Sequence, residues 1–195
     1  MVLCNDYIGP ARLRLNMLEV APELKRVWYP WSSGIDGIST KFLKMAKSTI
    51  AAILAKLFHK SMECGEYPDC LKISQIVSVP KRSSPSIPSH YRPISILPTV
   101  SKIFEKIIYA RVSSFLNKNK LLTNFQYGFR NNASTELAVS VIYESFLENM
   151  DKGKTTCAVF LDLSKAFDTI DHKILLLKLM YYGIRGKQNS FLNLT

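Results

Sequence analysis

From Thr155 to Leu161 the chain reads TTCAVFL, a β-branched, apolar and aromatic run too short for a buried helix and too apolar for a surface loop. Such a run is expected to be a strand, and a strand requires neighbours, so a sheet is expected somewhere in the fold. Asp162 stands at its carboxyl end, the edge where α/β proteins commonly place ligands. Asp168 and Asp171 follow shortly after it. A carboxylate in this setting can bind a metal, hydrogen-bond the amides of the next turn, cap the next helix or simply face water, and spacing alone leaves all of these open.

The rest of the chain alternates with helices. STKFLKMAKSTIAAILAKLFHKSM places Phe42, Met45, Ala46, Ile50, Ile53, Leu54, Leu57 and Phe58 at helical spacing, which predicts one helix and that face as its buried side. KISQIVSVP is a short β-rich run ended by Pro80, and KRSSPSIPSHYRP predicts an irregular loop. Thr99 opens a helix to about Asn117, with Val100, Ile103, Phe104, Ile107, Ile108, Val112 and Phe115 forming its stripe. Ser134 or Thr135 starts another to about Met150. Asp171 is placed to cap a last one running to Tyr182 before Gly183. The N-terminal residues show no core pattern beyond a short helix around Leu15 to Leu24, and read as a lead-in.

Composition narrows the partners. With 195 residues and 47% hydrophobic content the chain can bury a core, and its net charge is +11. Between residues 71 and 130 lie Lys72, Lys81, Arg82, Arg92, Lys102, Lys106, Arg111, Lys118, Lys120 and Arg130, against Glu105 alone. Such a stretch suits a polyanion, although it also reads as an ordinary solvated basic face. Cys4, Cys64, Cys70 and Cys157 have neither paired nor zinc-type spacing and are expected as reduced core thiols. His59, His90 and His172 share no metal-ligand spacing. No run approaches the roughly 20 apolar residues of a membrane span, and no signal-peptide pattern opens the chain, so an intracellular protein is expected.

Four segments then carry a resemblance. AVFLDLSKAFDTIDH resembles the first catalytic box of reverse transcriptases from non-LTR (LINE-type) retrotransposons, particularly jockey-like ones. SSGIDGISTKFLK, HYRPISILPTVSKIFEKIIYARV and QYGFRNNAST resemble other segments of that family in the expected order, and the likeness covers about residues 32 to 195. It implies an α+β fold comprising the fingers and the start of the palm of a right-hand polymerase, an incomplete domain. Residues 1–31 are then a lead-in, 32–154 the fingers region, and 155–195 the truncated start of the palm.

The resemblance also implies roles. Asp162 would be the first metal-binding carboxylate and the Leu163 carbonyl a second oxygen ligand of Mg²⁺, a hard cation suited to oxygen donors. Phe167 would lie under the sugar of the incoming nucleotide and exclude a ribose hydroxyl; as residues alone go, it reads equally as a core aromatic. Lys81 and Arg92 would clasp the triphosphate, although Arg82-Ser83-Ser84-Pro85 departs from the Gly/Asp-containing turn the family shows after the lysine. Gln126, Gly128, Phe129 and Arg130 would contact the template. Asp168 would brace its turn and Asp171 would cap a helix.

The implied function is RNA-directed DNA synthesis by two-metal nucleotidyl transfer in the intact parent enzyme, on an RNA template with a DNA primer and deoxynucleoside triphosphates. Such copying takes place at chromosomal DNA in related elements, which implies a nuclear site. The family's PQGS-type box and its F/Y-A-D-D-type turn with the remaining catalytic aspartate do not occur, so residues 1–195 alone are expected to be inactive. The alternatives are a catalytically inactive nucleic-acid-binding remnant and a decayed gene fragment.

Overall fold

The structure, a computed structural model, describes residues 17–26, 33–81 and 87–192. The chain divides into two compact units: Met1–Phe115 together with His172–Thr195, and Leu116–Asp171.

The first unit is a helical core with a two-stranded ribbon. Helix α1 (Met17–Arg26) packs on α3 (Lys47–Cys64), preceded by the short α2 (Thr40–Met45). The short helix expected around Leu15 to Leu24 is α1, and Val20 and Leu24 are buried in the core; the remainder of residues 1–31 lies outside the described residues. Arg111 fixes it further, donating to both carboxylate oxygens of Glu19 at 2.8–3.1 Å.

The single helix expected from residue 39 is two helices broken at Ala46, with Ser39 capping the first by accepting from the Phe42 amide at 3.3 Å. Its buried face also differs from the expected one. Leu43, Ala51, Leu54, Ala55, Phe58 and Met62 are buried, whereas Phe42, Met45, Ile53 and Leu57 are exposed. Apolar residues occur nearly all round this segment, so helical spacing allows several stripes. The small Ala51 and Ala55 let another helix approach, and that stripe is the one buried.

The helix expected from Thr99 forms as α5 (Thr99–Lys118), burying Ile103, Phe104, Ile107 and Phe115. Phe58 stacks on Phe104 with ring centroids 4.1 Å apart, and Tyr67 and Phe191 close around them at 5.2 and 5.4 Å from Phe104. Phe191 comes from α8 (Lys187–Leu192), which follows α7 (His172–Tyr181). Asn189 joins these two helices, its amide donating to the carbonyls of Leu176 and Ile184. The chain turns at Gly183, whose φ of 102° favours glycine. At Gly34 the reason for glycine is space: an added Cβ would lie 2.6 Å from Pro98 Cα, so the backbone at Gly34 sits directly on the residue before α5.

Two strands, β1 (Gln75–Pro80) and β2 (Tyr91–Ile96), pair antiparallel, after the short helix α4 (Asp69–Lys72). β1 was legible; β2 lies partly inside the stretch expected as loop. Its Pro93 stands opposite Ser78, tolerated because a two-stranded ribbon is all edge. Residues 82–86 of the connection lie outside the described residues.

In the second unit, α6 (Thr135–Asp151) begins where expected, with Ser134 accepting from the Leu137 amide at 3.2 Å. The strand expected at Thr155–Leu161 does not form. Its backbone is unpaired, and Val159, Phe160 and Leu161 are 79%, 78% and 88% exposed. β-propensity describes a residue's fit to a sheet, not the presence of a partner, and the ladder found among the described residues is used up by β1 and β2. Cys64, Cys70 and Cys157 are exposed rather than core thiols, because none lies on a buried stripe. No helix among the described residues is long and apolar enough to cross a membrane.

Candidate nucleotide and nucleic-acid site

In the first unit, the ribbon brings two basic residues to the same end. Arg92 stands opposite Val79 in the ladder, which ends at Pro80 and Tyr91. Just past it the Lys81 amide donates to the His90 carbonyl at 2.8 Å. Lys81 and Arg92 therefore lie on the two paired segments at the open end of the ribbon. A lysine point charge beside a forked guanidinium is an arrangement suited to neighbouring phosphate groups. The sequence showed two ends of a loop; the pairing register brings them together.

In the second unit, QYGFR follows the end of α5 as a series of turns. The Gln126 side-chain amide donates to the Gly128 carbonyl at 3.2 Å. Gly128 does not take a left-handed backbone, and nothing lies within 4 Å of a Cβ placed there, so neither conformation nor packing in this unit demands glycine. Arg130 reaches back, donating to the Thr123 carbonyl at 2.6 Å and to Asn117 Oδ1 at 3.4 Å. With Lys120, Asn117 and Thr123 it lines an open cleft of about 420 Å³. Lys120, read in the sequence only as one of the basic residues between 71 and 130, sits at the turn after α5 with a φ of 52°.

Asp162 does not stand at a sheet edge, because the preceding run is unpaired; it is exposed, as is Leu163. The turn after it is closed by the amides of Asp168 and Thr169 donating to the Lys165 carbonyl at 2.9 and 3.2 Å. Asp168 thus takes part in the turn through its backbone. Asp171 immediately precedes α7, the position of a cap. Phe167 is 73% exposed, not a core aromatic, and meets Phe129 edge-on, with centroids 6.1 Å apart and planes at 83°. Two residues expected to serve different ligands are therefore one pair, a contact across 38 positions that no local pattern announces.

Among the described residues no three His, Cys, Asp or Glu side chains come together as a metal site. Asp162 and the Leu163 carbonyl are oxygen donors of the kind Mg²⁺ takes, an ion that completes its shell with water and substrate phosphates.

Residues 79–194 match the family described as "Reverse transcriptase (RNA-dependent DNA polymerase)". The chain is 29% identical over 173 residues to "Probable RNA-directed DNA polymerase from transposon BS" of Drosophila melanogaster, covering 85% of this chain and 19% of that protein. It is 29% identical over 146 residues to "RNA-directed DNA polymerase from mobile element jockey" of the same species, covering 74% and 16%. A third similar protein, "Probable RNA-directed DNA polymerase from transposon X-element", also of Drosophila melanogaster, is 30% identical over 173 residues, covering 85% and 19%. The chain thus spans less than a fifth of the length of these relatives.

Proposed function

The chain belongs to the reverse transcriptase (RNA-dependent DNA polymerase) family of jockey-like, non-LTR elements, and on that premise we propose that it contributes nucleotide and template contacts to RNA-directed DNA synthesis. In this reading residues 32–154 are fingers and 155–195 begin the palm of a right-hand polymerase, with 1–31 leading in. Lys81 and Arg92 hold the triphosphate of an incoming deoxynucleotide. Gln126, Gly128, Phe129 and Arg130 meet the RNA template, paired with a DNA primer, and Phe167 screens the sugar.

The observation that supports this best is that Lys81 and Arg92 lie at the same end of the two-stranded ribbon. Asp162 and the Leu163 carbonyl supply part of a Mg²⁺ site in this reading. Water and the phosphates of the nucleotide would complete the oxygen shell of that ion. A second reading, a nucleic-acid-binding chain without catalysis of its own, is favoured by the net charge of +11.

Saturation-transfer NMR of the full chain with a deoxynucleoside triphosphate tests the phosphate site. Arg92→Ala is expected to weaken binding at least fivefold and Arg92→Lys to restore it only in part, because lysine lacks the fork. Equal affinity in Arg92→Ala would remove the ribbon from the site. Primer extension on an RNA template with Mg²⁺ separates the two readings: residues 1–195 alone are expected to give no product, and Asp162-dependent synthesis would overturn that.

A further inference from the structure

Four non-glycine residues have positive φ among those described: Lys120, Phe129, Asn132 and Lys165, all within Leu116–Asp171. Asparagine adopts this conformation readily, but for a bulky aromatic it is an outlier that the surroundings must hold. Phe129, at φ 59°, is 86% exposed, so burial does not repay the strain. Its ring contact is with Phe167, itself 73% exposed. An edge-on contact covers a single ring face and leaves the others to solvent. Backbone strain that presents an aromatic ring outward marks a binding position more readily than a packing one.

We propose that Phe129 and Phe167 together form a stacking platform for the bases of an unpaired nucleic-acid strand, with Lys120 and Arg130 taking its phosphates. This rests on the reading of the chain as a nucleic-acid-binding member of its family, and changes Phe167 from a sugar screen alone to a partner in base stacking. Ring faces accept bases only where those bases are unstacked, which selects a single strand over a duplex. Positive charge lies close in the chain: Arg130 follows Phe129 directly and lines one cleft with Lys120, and Lys165 precedes Phe167 by two residues. Arg130 spends two of its N–H groups on Thr123 and Asn117, which fixes the guanidinium while leaving further donors available.

The test uses the full chain with oligothymidine, oligouridine and an abasic strand of equal length and charge, read by fluorescence anisotropy at low salt. The base-bearing strands are expected to bind about tenfold more tightly than the abasic one, in DNA and RNA alike, because a ring face is indifferent to the sugar. Phe129→Gly and Phe167→Ala are each expected to abolish this preference, and the double variant to lose no more than either. Phe129→Gly carries the distinguishing readout: glycine accepts φ 59°, so thermal stability is expected to hold or rise while base preference is lost. A preference that survives either substitution, or equal binding of base-bearing and abasic strands, would overturn the platform while leaving phosphate binding intact. Absence of binding to every strand would overturn the nucleic-acid reading itself, and the platform with it.

Discussion

At the scale of single residues, the first unit contains a hydroxyl chain that ties burial to protonation. Tyr67 and Ser101 share a hydrogen bond of 2.7 Å, and Ser101 donates to Glu105 at 3.3 Å. Burial is the main force pushing the Tyr67 phenol up to about 12 from an ordinary 10.0; the Ser101 hydrogen bond opposes it and the Glu105 charge adds to it. Burial likewise raises Glu105, against Ser101 and Lys102. The folded state therefore binds the phenolic proton more tightly than the unfolded chain. That stabilisation is complete below pH 10 and is lost as pH rises to about 12, where the phenol ionises even when folded. Tyr67→Phe removes the titrating group, so urea midpoints measured across this window should fall less steeply for the variant. An equal slope would show that other groups govern alkaline unfolding.

At the scale of elements, what could be read from sequence was what is locally encoded. The helix start at Ser134, the stripe of α5 and the β-rich run ending at Pro80 all appear where expected. What depends on a distant partner was not legible. The buried face of α3 is set by α1, β2 is a strand because β1 lies beside it, and Thr155–Leu161 lacks a partner despite its composition. The site divides in the same way. The order of the motifs was readable and the family match supports it, while the nearness of Lys81 and Arg92 needed a strand register and the Phe129–Phe167 pair a strained backbone. The packing of α1 gives the sharpest test at this scale. Leu24 is 1% exposed against the α3 core, so Leu24→Ala should cost about 2–5 kcal/mol by chemical denaturation. Leu18, 76% exposed on the same helix, should tolerate alanine within about 0.5 kcal/mol. Equal effects would mean that α1 is not docked as described.

At the scale of the whole molecule, the two units rest on different grounds. The first buries a connected aromatic and aliphatic core, whereas α6, the helix of the second, buries no residue at all. Helix α6 is 17 residues long and has a good N-cap, but a helix of that length without tertiary packing is marginal in water. Its Val139, Tyr143 and Met150 are 64%, 61% and 69% exposed, and the neighbouring Val159 to Leu161 more so. Hydrogen exchange of the full chain should therefore separate the units: α6 amides should open by local fluctuation and exchange at least about tenfold faster than those in the centre of α3 or α5. A denaturant concentration well below the main transition should then abolish what protection α6 retains while leaving the Phe58–Phe104 region intact. One shared exchange rate for α3, α5 and α6 would instead require that unit Leu116–Asp171 draw its stability from the same core, contrary to its exposed apolar faces.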